Sequence, residues 1–136
     1  MADAGAVHRE YVEAVDRHDL VRIRELFHDS YTYTGADGVV HEGPEAGIAQ
    51  IEPFLKGFPD LRFDVRRQFL DGDTSVMEAV AKGTQTGDLG PIPATGKYAE
   101  VVVCDIVDVR DGKIVAEREY YNEVSLLQQL GVMPTE

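Results

Sequence analysis

The second half of the chain constrains the fold most, because apolar and polar residues alternate there with a period of two. Such alternation is typical of half-buried β-strands, whose successive side chains point to opposite faces. Four alternating stretches are present: about Leu61 to Leu70, Ser75 to Thr86, Tyr98 to Val109 and Lys113 to Glu123. Three turn-forming segments separate them: Asp71-Gly72-Asp73, Gly87 to Lys97 and Arg110-Asp111-Gly112. The pattern predicts four long strands in an antiparallel meander.

The first third has helical periodicity instead. The first predicted helix has an apolar face formed by Val7, Tyr11, Ala14 and Val15. A second short helix begins at Asp19, a residue type that caps helix N-termini, and its apolar face is formed by Leu20, Ile23 and Phe27. A third begins at Pro44, and Pro53 is expected to kink or divide it.

Between the second and third helices, a short strand from Tyr31 to Thr34 and a returning strand from Val39 to Glu42 are predicted. Helices that precede a meander of strands are typical of the α+β class. We therefore expect one domain over residues 1–136, with three N-terminal helices packed on one face of a strongly curved, mostly antiparallel sheet.

Charge and composition exclude several classes of partner. The 136 residues include 13 Lys and Arg against 25 Asp and Glu, which gives a formal net charge of −12. Such a surface repels phosphate groups, so nucleic acid and anionic membranes are not expected as partners. The single cysteine, Cys104, cannot form an intramolecular disulfide. With neither a signal sequence nor an apolar run long enough for a membrane span, a cytoplasmic protein is expected.

Common catalytic and metal-binding signatures do not occur. The sequence has no glycine-rich phosphate loop, no Gly-x-Ser-x-Gly segment and no His-Glu-x-x-His pair. The four histidines lie in the first third without metal-ligand spacing: His8, His18, His28 and His41. We interpret them as exposed surface residues and expect no metal site.

A carboxylate interrupts the most apolar strand. Alternation places Asp105 on the same face as Val101, Val103 and Val107. Burying a carboxylate is costly and raises its pKa, and a general acid or a hydrogen-bond donor to an oxyanion needs a raised pKa. The structural alternative is that an arginine, such as Arg62 or Arg118, pairs with Asp105.

The next strand repeats this anomaly. Val115, Glu117, Glu119 and Tyr121 share one face. If that face points toward the helices, Glu119 enters the same interior as Asp105, and two carboxyl groups in one apolar cavity can supply an acid and a base. The alternative is that Glu117 and Glu119 pair with arginines on a solvated face.

Four further residues are candidates with a strong structural alternative. Asp37 lies in a predicted turn, where aspartate is common, and Asp64 lies between Arg62 and Arg66 in a pattern typical of an exposed charged strand face. Tyr11 and Tyr33 are typical core aromatics, but a buried tyrosine hydroxyl needs a partner, and a ligand carbonyl would serve.

Several segments resemble the SnoaL-like polyketide cyclases. They are the strand–loop–strand from Gly83 to Lys97, Asp111-Gly112-Lys113-Ile114, Leu126 to Gly131, and Pro59 to Phe63 where the chain enters the sheet. The resemblance covers nearly the whole chain. It implies the cone-shaped α+β barrel that this family shares with ketosteroid isomerase and nuclear transport factor relatives, in which a curved sheet wraps an apolar pocket.

The resemblance also implies roles for site residues. Glu119 is in the place of the acid–base aspartate of SnoaL-like aldol cyclases, and is one methylene longer. Asp105 is where those cyclases carry histidine and where ketosteroid isomerase carries a protonated aspartate. Tyr11 aligns with the isomerase's oxyanion tyrosine, and Asp37 is two residues from the position of its base. Asp37 and Asp64 together are similar to the acidic pair of polyether epoxide hydrolases.

The leading hypothesis is a cofactor-free cyclase or isomerase of secondary metabolism that acts on an uncharged, polyketide-like substrate. Asp105, Glu119 and Asp37 are its candidate catalytic residues. The candidate substrate-binding residues are Tyr11, Tyr33, Asp64 and Tyr121. An epoxide-opening enzyme is the second hypothesis, and a non-catalytic binding or scaffold module is the third. A homodimer formed through the outer sheet face is expected from the resemblance.

Overall fold

The computed structural model describes residues 3–134 and has the predicted α+β architecture. Its elements are α1 (Ala4–Asp16), α2 (Leu20–Leu26), β1 (Phe27–Thr34), β2 (Val40–Glu42), α3 (Pro44–Gly57), β3 (Arg62–Asp71), β4 (Thr74–Thr84), β5 (Tyr98–Arg110), β6 (Lys113–Tyr121) and α4 (Glu123–Gln129). None of the helices within residues 3–134 is long and apolar enough to cross a membrane.

The six strands form one mixed sheet in the order β2-β1-β6-β5-β4-β3. All neighbouring pairs are antiparallel except β1 and β6, which are parallel. The four long strands of the predicted meander are confirmed to within two residues at each end. The sheet does not close into a barrel, because β2 and β3 remain its two edges.

The helical region differs from the prediction in three places. Phe27 begins β1 instead of ending α2, and its ring stacks on Tyr31 with ring centroids 3.8 Å apart. Pro53 does not divide α3, which runs from Pro44 to Gly57; the proline removes one backbone donor, while packing of Ile51 and Leu55 against the core holds both halves. The helix α4 was not predicted, and its Leu126 is buried.

The helices cover one face of the sheet, and the two faces of β5 show why. Alternate residues of β5 from Ala99 to Val109 are buried, while the residues between them are exposed or half-buried. Helices α1 and α2 pack over this inner face to form the main core, with Val7, Ile23 and Val107 almost completely buried. Because Asp105 belongs to the buried set, the fold places its carboxyl group under α1.

Candidate active site

A pocket of about 110 Å³ lies between the inner face of the sheet and helices α1, α3 and α4. Its wall is mostly apolar and includes Val12 from α1, Phe54 from α3 and Leu126 from α4. Three carboxyl groups also line it: Asp105, Glu117 and Glu119. An apolar pocket with a few convergent polar groups is the usual form of a small-molecule site.

The register between β5 and β6 brings these three carboxyl groups together. Asp105 pairs directly with Glu119, and Val107 pairs with Glu117. One oxygen of each carboxyl group lies within 4.8 Å of the corresponding oxygens of the other two. The prediction that Glu119 enters the same interior as Asp105 is therefore confirmed, and Glu117 joins them.

Glu117 is the most deeply held of the three. Its Oε1 atom accepts hydrogen bonds from the hydroxyl groups of Tyr11, at 2.9 Å, and Tyr31, at 2.7 Å. Gly47 lets α3 approach the Tyr31 ring closely, since a Cβ atom there would lie 2.4 Å from the ring. Burial, and then the charge of Asp105, raise the pKa of Glu117 well above its ordinary value, which favours the neutral form of this carboxyl group.

Among residues 3–134, the hydroxyl of Tyr33 is the one side chain that donates to Glu119, and its oxygen lies 2.9 Å from Oε1. Burial and the nearby charge of Glu117 raise the pKa of Glu119 to about 7. Tyr121 lines the same pocket, and burial also raises the pKa of its hydroxyl. Glu119 is therefore close to half-protonated at neutral pH, the state in which a carboxyl group can both take and give a proton.

Asp105 is held by a histidine, not an arginine. The Nε2 atom of His8 lies 2.9 Å from Asp105 Oδ2, and Arg118 instead donates to Asp108 at 2.9 Å. Burial raises the pKa of Asp105 to about 7, although a hydrogen bond with Glu117 acts in the opposite direction and lowers it. Asp105 Oδ1 is buried and has no hydrogen-bond partner within residues 3–134.

The prediction that all four histidines are exposed is wrong. His8 is completely buried, and burial lowers its pKa to about 4, so the ring is neutral at pH 7. It lies on the face of α1 that also carries Tyr11 and Val15, and this face packs on the sheet. The other three histidines, His18, His28 and His41, are half-buried.

The structure does not bring Asp37 and Asp64 to the carboxyl cluster. Asp37 is exposed in the turn after β1, where it accepts from the Val39 backbone and lies near His41. Asp64 on β3 pairs with Arg66 of the same strand, at 3.1 Å, and with Lys82 of β4, at 3.4 Å. The charged-face interpretation of Asp64 is confirmed, while its role in substrate binding and the catalytic role of Asp37 stay predictions.

Sequence reasoning missed three members of the site: His8, Glu117 as a buried acid, and Tyr31. His8 could have been found from its helical spacing to Tyr11 and Val15, three and seven residues on. Glu117 carried a signal as well, because it shares the strand face of Glu119, but alternation alone does not say which face is buried. Tyr31 carried no signal beyond its place in a predicted strand.

The cluster also has the spacing of a metal site, with three carboxylates in reach of one ion. A hard cation needs ionised oxygen ligands, usually six or more including water. Here tyrosine hydroxyls already occupy oxygens of Glu117 and Glu119, and the remaining wall is largely carbon. The arrangement therefore favours proton transfer over cation binding, and the absence of a metal stays a prediction.

The described residues have the α+β fold that is called ketosteroid isomerase-like. A protein of that fold from Catenulispora acidiphila, solved in complex with trimethylamine, is 20% identical with a TM-score of 0.79, covering 93% of each chain. AclR, a proposed hydroxylase from Streptomyces galilaeus, is 23% identical with a TM-score of 0.86, covering 98% of this chain and 83% of its own.

IdmH, a proposed polyketide cyclase from Streptomyces antibioticus, is 26% identical with a TM-score of 0.82, covering 96% of this chain and 100% of its own. Residues 5–130 match the family model for SnoaL-like polyketide cyclases. The chain belongs to this family, and a cyclase-type role follows. No curated protein matches the sequence.

Proposed function

We propose that the protein is an enzyme that closes or isomerises a ring in an apolar, polyketide-like substrate by acid–base catalysis without a cofactor. The observation that carries the proposal is the cluster of three carboxyl groups with raised pKa at the base of an apolar pocket. The family supports a cyclase, and the naming of IdmH as a proposed polyketide cyclase points to the same substrate class.

Glu119 is the group that moves the proton. In its ionised form it removes a proton from a carbon next to a substrate carbonyl, which leaves an enolate. The proton returns to a different carbon in an isomerisation, or to the new alkoxide oxygen after the enolate carbon attacks a second carbonyl in a ring closure. Near pH 7 both forms of Glu119 are populated, so it can perform both halves of the cycle.

Asp105 and Glu117 stabilise the oxyanion. The proton that they share gives the pair one acidic hydrogen that can donate to the developing negative charge, in a pocket where little water competes. Tyr11, which the resemblance casts as an oxyanion donor, is 5% exposed and donates to Glu117. Its role here is to hold Glu117 in place with Tyr31.

Enolisation can be tested before the natural substrate is identified. Apolar cyclic ketones such as 2-tetralone, and a set of polyketide-like diketones, are incubated in D₂O, and loss of the α-proton is followed by NMR. We expect the wild type to exchange at least one of them faster than E119Q does, while E78Q on the exposed side of β4 behaves as the wild type. Equal exchange by wild type and E119Q across the whole set would contradict the assigned role of Glu119.

Epoxide opening remains the second candidate, since an acidic group next to a carboxylate could also protonate an epoxide oxygen while water attacks. In this pocket it would use Asp105 with Glu117 or Glu119, because Asp37 and Asp64 lie elsewhere. Hydrolysis of an apolar epoxide by wild type and not by D105N would favour it.

We also propose that a second copy of the chain covers the outer face of the sheet. This face carries Phe69, Val102 and Tyr120, which are 51%, 68% and 57% exposed. Large apolar side chains that share one sheet face are typical of a protein interface. Light scattering is expected to give a dimer mass for the wild type and a monomer mass for V102E. A monomeric wild type at every concentration would contradict the proposal.

A further inference from the structure

A chain of hydrogen bonds behind Asp105 runs from the protein surface to the pocket. At its outer end, Arg9 Nη1 donates to Gln68 Oε1 at 2.8 Å. The other end of the Gln68 amide, Nε2, donates to the Gly5 carbonyl oxygen at 3.1 Å and to Ser75 Oγ at 3.0 Å. Arg9 is exposed, Gln68 is half-buried and Ser75 is completely buried.

The outer end of this chain fixes the direction of its hydrogen bonds as far as Ser75. A guanidinium group has only donors, so Arg9 requires the oxygen of Gln68, and the Gly5 carbonyl independently requires its nitrogen. Since Gln68 Nε2 donates to Ser75 Oγ, the Ser75 hydroxyl is free to direct its own hydrogen to His8 Nδ1, 2.7 Å away.

The tautomer of His8 follows in turn. With the Ser75 hydroxyl directed at Nδ1, a neutral imidazole carries its one proton on Nε2. Nε2 lies 2.9 Å from Asp105 Oδ2 and in this tautomer donates to it. All the donors therefore point one way, from the arginine at the surface to the carboxyl group in the pocket.

We propose that His8 is a positioning residue, locked as its Nε2–H tautomer, that reserves Oδ2 of Asp105 as a permanent acceptor. Oδ1 is then the oxygen that exchanges a proton with Glu117 and serves the substrate. Ser75 and Gln68 act through His8 by fixing its tautomer. The contribution of this arrangement to catalysis rests on the proposed function; the tautomer and the direction of the chain do not.

The surroundings of Asp105 explain why a neutral donor is useful there. A charged partner would hold Asp105 ionised, as Arg118 does for Asp108 on the outer face. A neutral imidazole orients Asp105 and leaves its pKa near 7. The other titratable or charged groups around the cluster and its pocket come from α1, β1, β4 and β6: Tyr11, Tyr31, Tyr33, Lys82, Glu117, Arg118, Glu119 and Tyr121.

The direct test is the tautomer of His8 in the wild-type protein, which needs no substrate and no variant. With ¹⁵N-labelled histidine, long-range ¹H–¹⁵N spectra distinguish a protonated ring nitrogen from an unprotonated one, and only four histidines are present. We expect Nε2 of His8 protonated and Nδ1 unprotonated from pH 5.5 to 8. A protonated Nδ1, or a mixture of tautomers, would overturn the inference.

Replacing the amide of Gln68 by a carboxylate tests the direction of the hydrogen-bond chain. In Q68E the new carboxylate still accepts from Arg9 but has no donor for Ser75, so the Ser75 hydroxyl turns toward it. The neutral His8 ring then carries its one proton on Nδ1 instead of Nε2, and Nε2 accepts a hydrogen bond from the protonated form of Asp105. The ¹⁵N signal of Nδ1 is expected to move to the protonated position and that of Nε2 to the unprotonated one. Q128E, which makes the same charge change on α4, should leave the His8 signals unchanged. An unchanged His8 spectrum in Q68E would contradict the coupling.

A second pair of variants separates this inference from the proposed function. H8L removes the donor to Asp105, and H8Q supplies an amide donor in its place. We expect the pKa of Asp105 to rise by about one unit in H8L, because one hydrogen bond to the charged form is lost, and to return toward the wild-type value in H8Q. The pH profile of α-proton exchange should shift in the same direction.

The results separate a wrong positioning role for His8 from a wrong catalytic role for Asp105. If the Asp105 pKa does not move in H8L, the positioning role of His8 is wrong. If the tautomer and the pKa behave as expected but the pH profile of exchange does not move, the hydrogen-bond chain stands. In that case Asp105 does not take part in the proposed reaction.

Discussion

Strand β5 carries two aspartates, three residues apart, whose environments differ in almost every respect. Asp105 is on the inner face, where burial outweighs its neutral partner His8 and raises its pKa to about 7. Asp108 is half-buried on the outer face, where hydrogen bonds from Arg118 and Thr74 overcome the effect of burial and lower its pKa. The same side chain becomes a reactive acid or a structural ion according to the charge of its partner and the depth of the site.

The difference shows how one strand can carry carboxyl groups on both faces without a large loss of folding stability. The outer carboxylate is compensated by a cation and by water. The inner ones are compensated by protons and by tyrosine hydroxyls, so they keep neutral forms that are available for transfer. Three experiments test whether the two faces of β5 differ in this way.

The largest expected effect is on activity. D105N removes the acidic group at the pocket and is expected to lower the rate of α-proton exchange or cyclisation by about 10²–10⁴-fold, the usual contribution of a general acid or base. D108N, its matched control on the same strand, should retain the wild-type rate. Equal rates in D105N and D108N would remove the functional distinction between the two faces.

The second effect is on the pH dependence of the free energy of unfolding, which has opposite signs for carboxyl groups on the inner and outer faces of the sheet. The folded-state pKa of Glu119 is raised from 4.5 to about 7, so between these values the native state holds a proton that the unfolded chain has lost. Stability therefore falls as pH rises through this window, by up to about 1.4 kcal/mol per pH unit for such a group. E119Q should flatten the decline, as urea denaturation from pH 4.5 to 8 would show.

Asp108 should behave in the opposite way. Its folded-state pKa is lowered, so its stabilising contribution is present above its ordinary pKa and is lost as pH falls through the folded value. D108N should therefore lose stability at pH 7 and not at low pH. If E119Q and D108N changed the pH dependence in the same direction, the comparison would be wrong.

The smallest effect is expected for R118M, which breaks the outer pair. The side chains of Arg118 and Asp108 are 35% and 34% exposed, so solvent screens their interaction. The free energy of unfolding should fall by about 1 kcal/mol or less in urea denaturation, with no change in the exchange rate. A loss of activity in R118M would show that the outer ion also controls the inner cluster.

The sequence was sufficient for the framework of the site. A period of two predicts that Asp105 lies on the apolar face of β5 and that Glu117 and Glu119 share a face of β6. The register at the turn, where Arg110 pairs with Lys113, would by itself place Asp105 opposite Arg118. A β-bulge between the Asp108 and Val109 pairs shifts the register by one residue and places Asp105 opposite Glu119, and the alternation does not indicate this bulge. The four long strands and the capping of α2 by Asp19 follow from local patterns.

The remaining features depend on contacts between residues far apart in the chain. His8 and Asp105 are separated by 97 positions, and no local pattern indicates that the two meet. Likewise, the burial of Glu117 depends on tyrosines from α1 and β1. Phe27 was assigned to the wrong element because it fits the apolar face of a helix as well as the start of a strand.

The central claim is that the inner carboxyl groups titrate near neutrality, and ¹³C NMR titration of the carboxyl carbons tests it most directly. Asp105 and Glu119 are expected to titrate with apparent pKa values near 7, and Glu117 is expected to titrate well above its ordinary value, while Asp108 should titrate below its ordinary value. If Asp105 and Glu119 instead titrated at or below their ordinary values, as is expected of Asp108, the cluster would be a set of ordinary ions and the acid–base site would not exist.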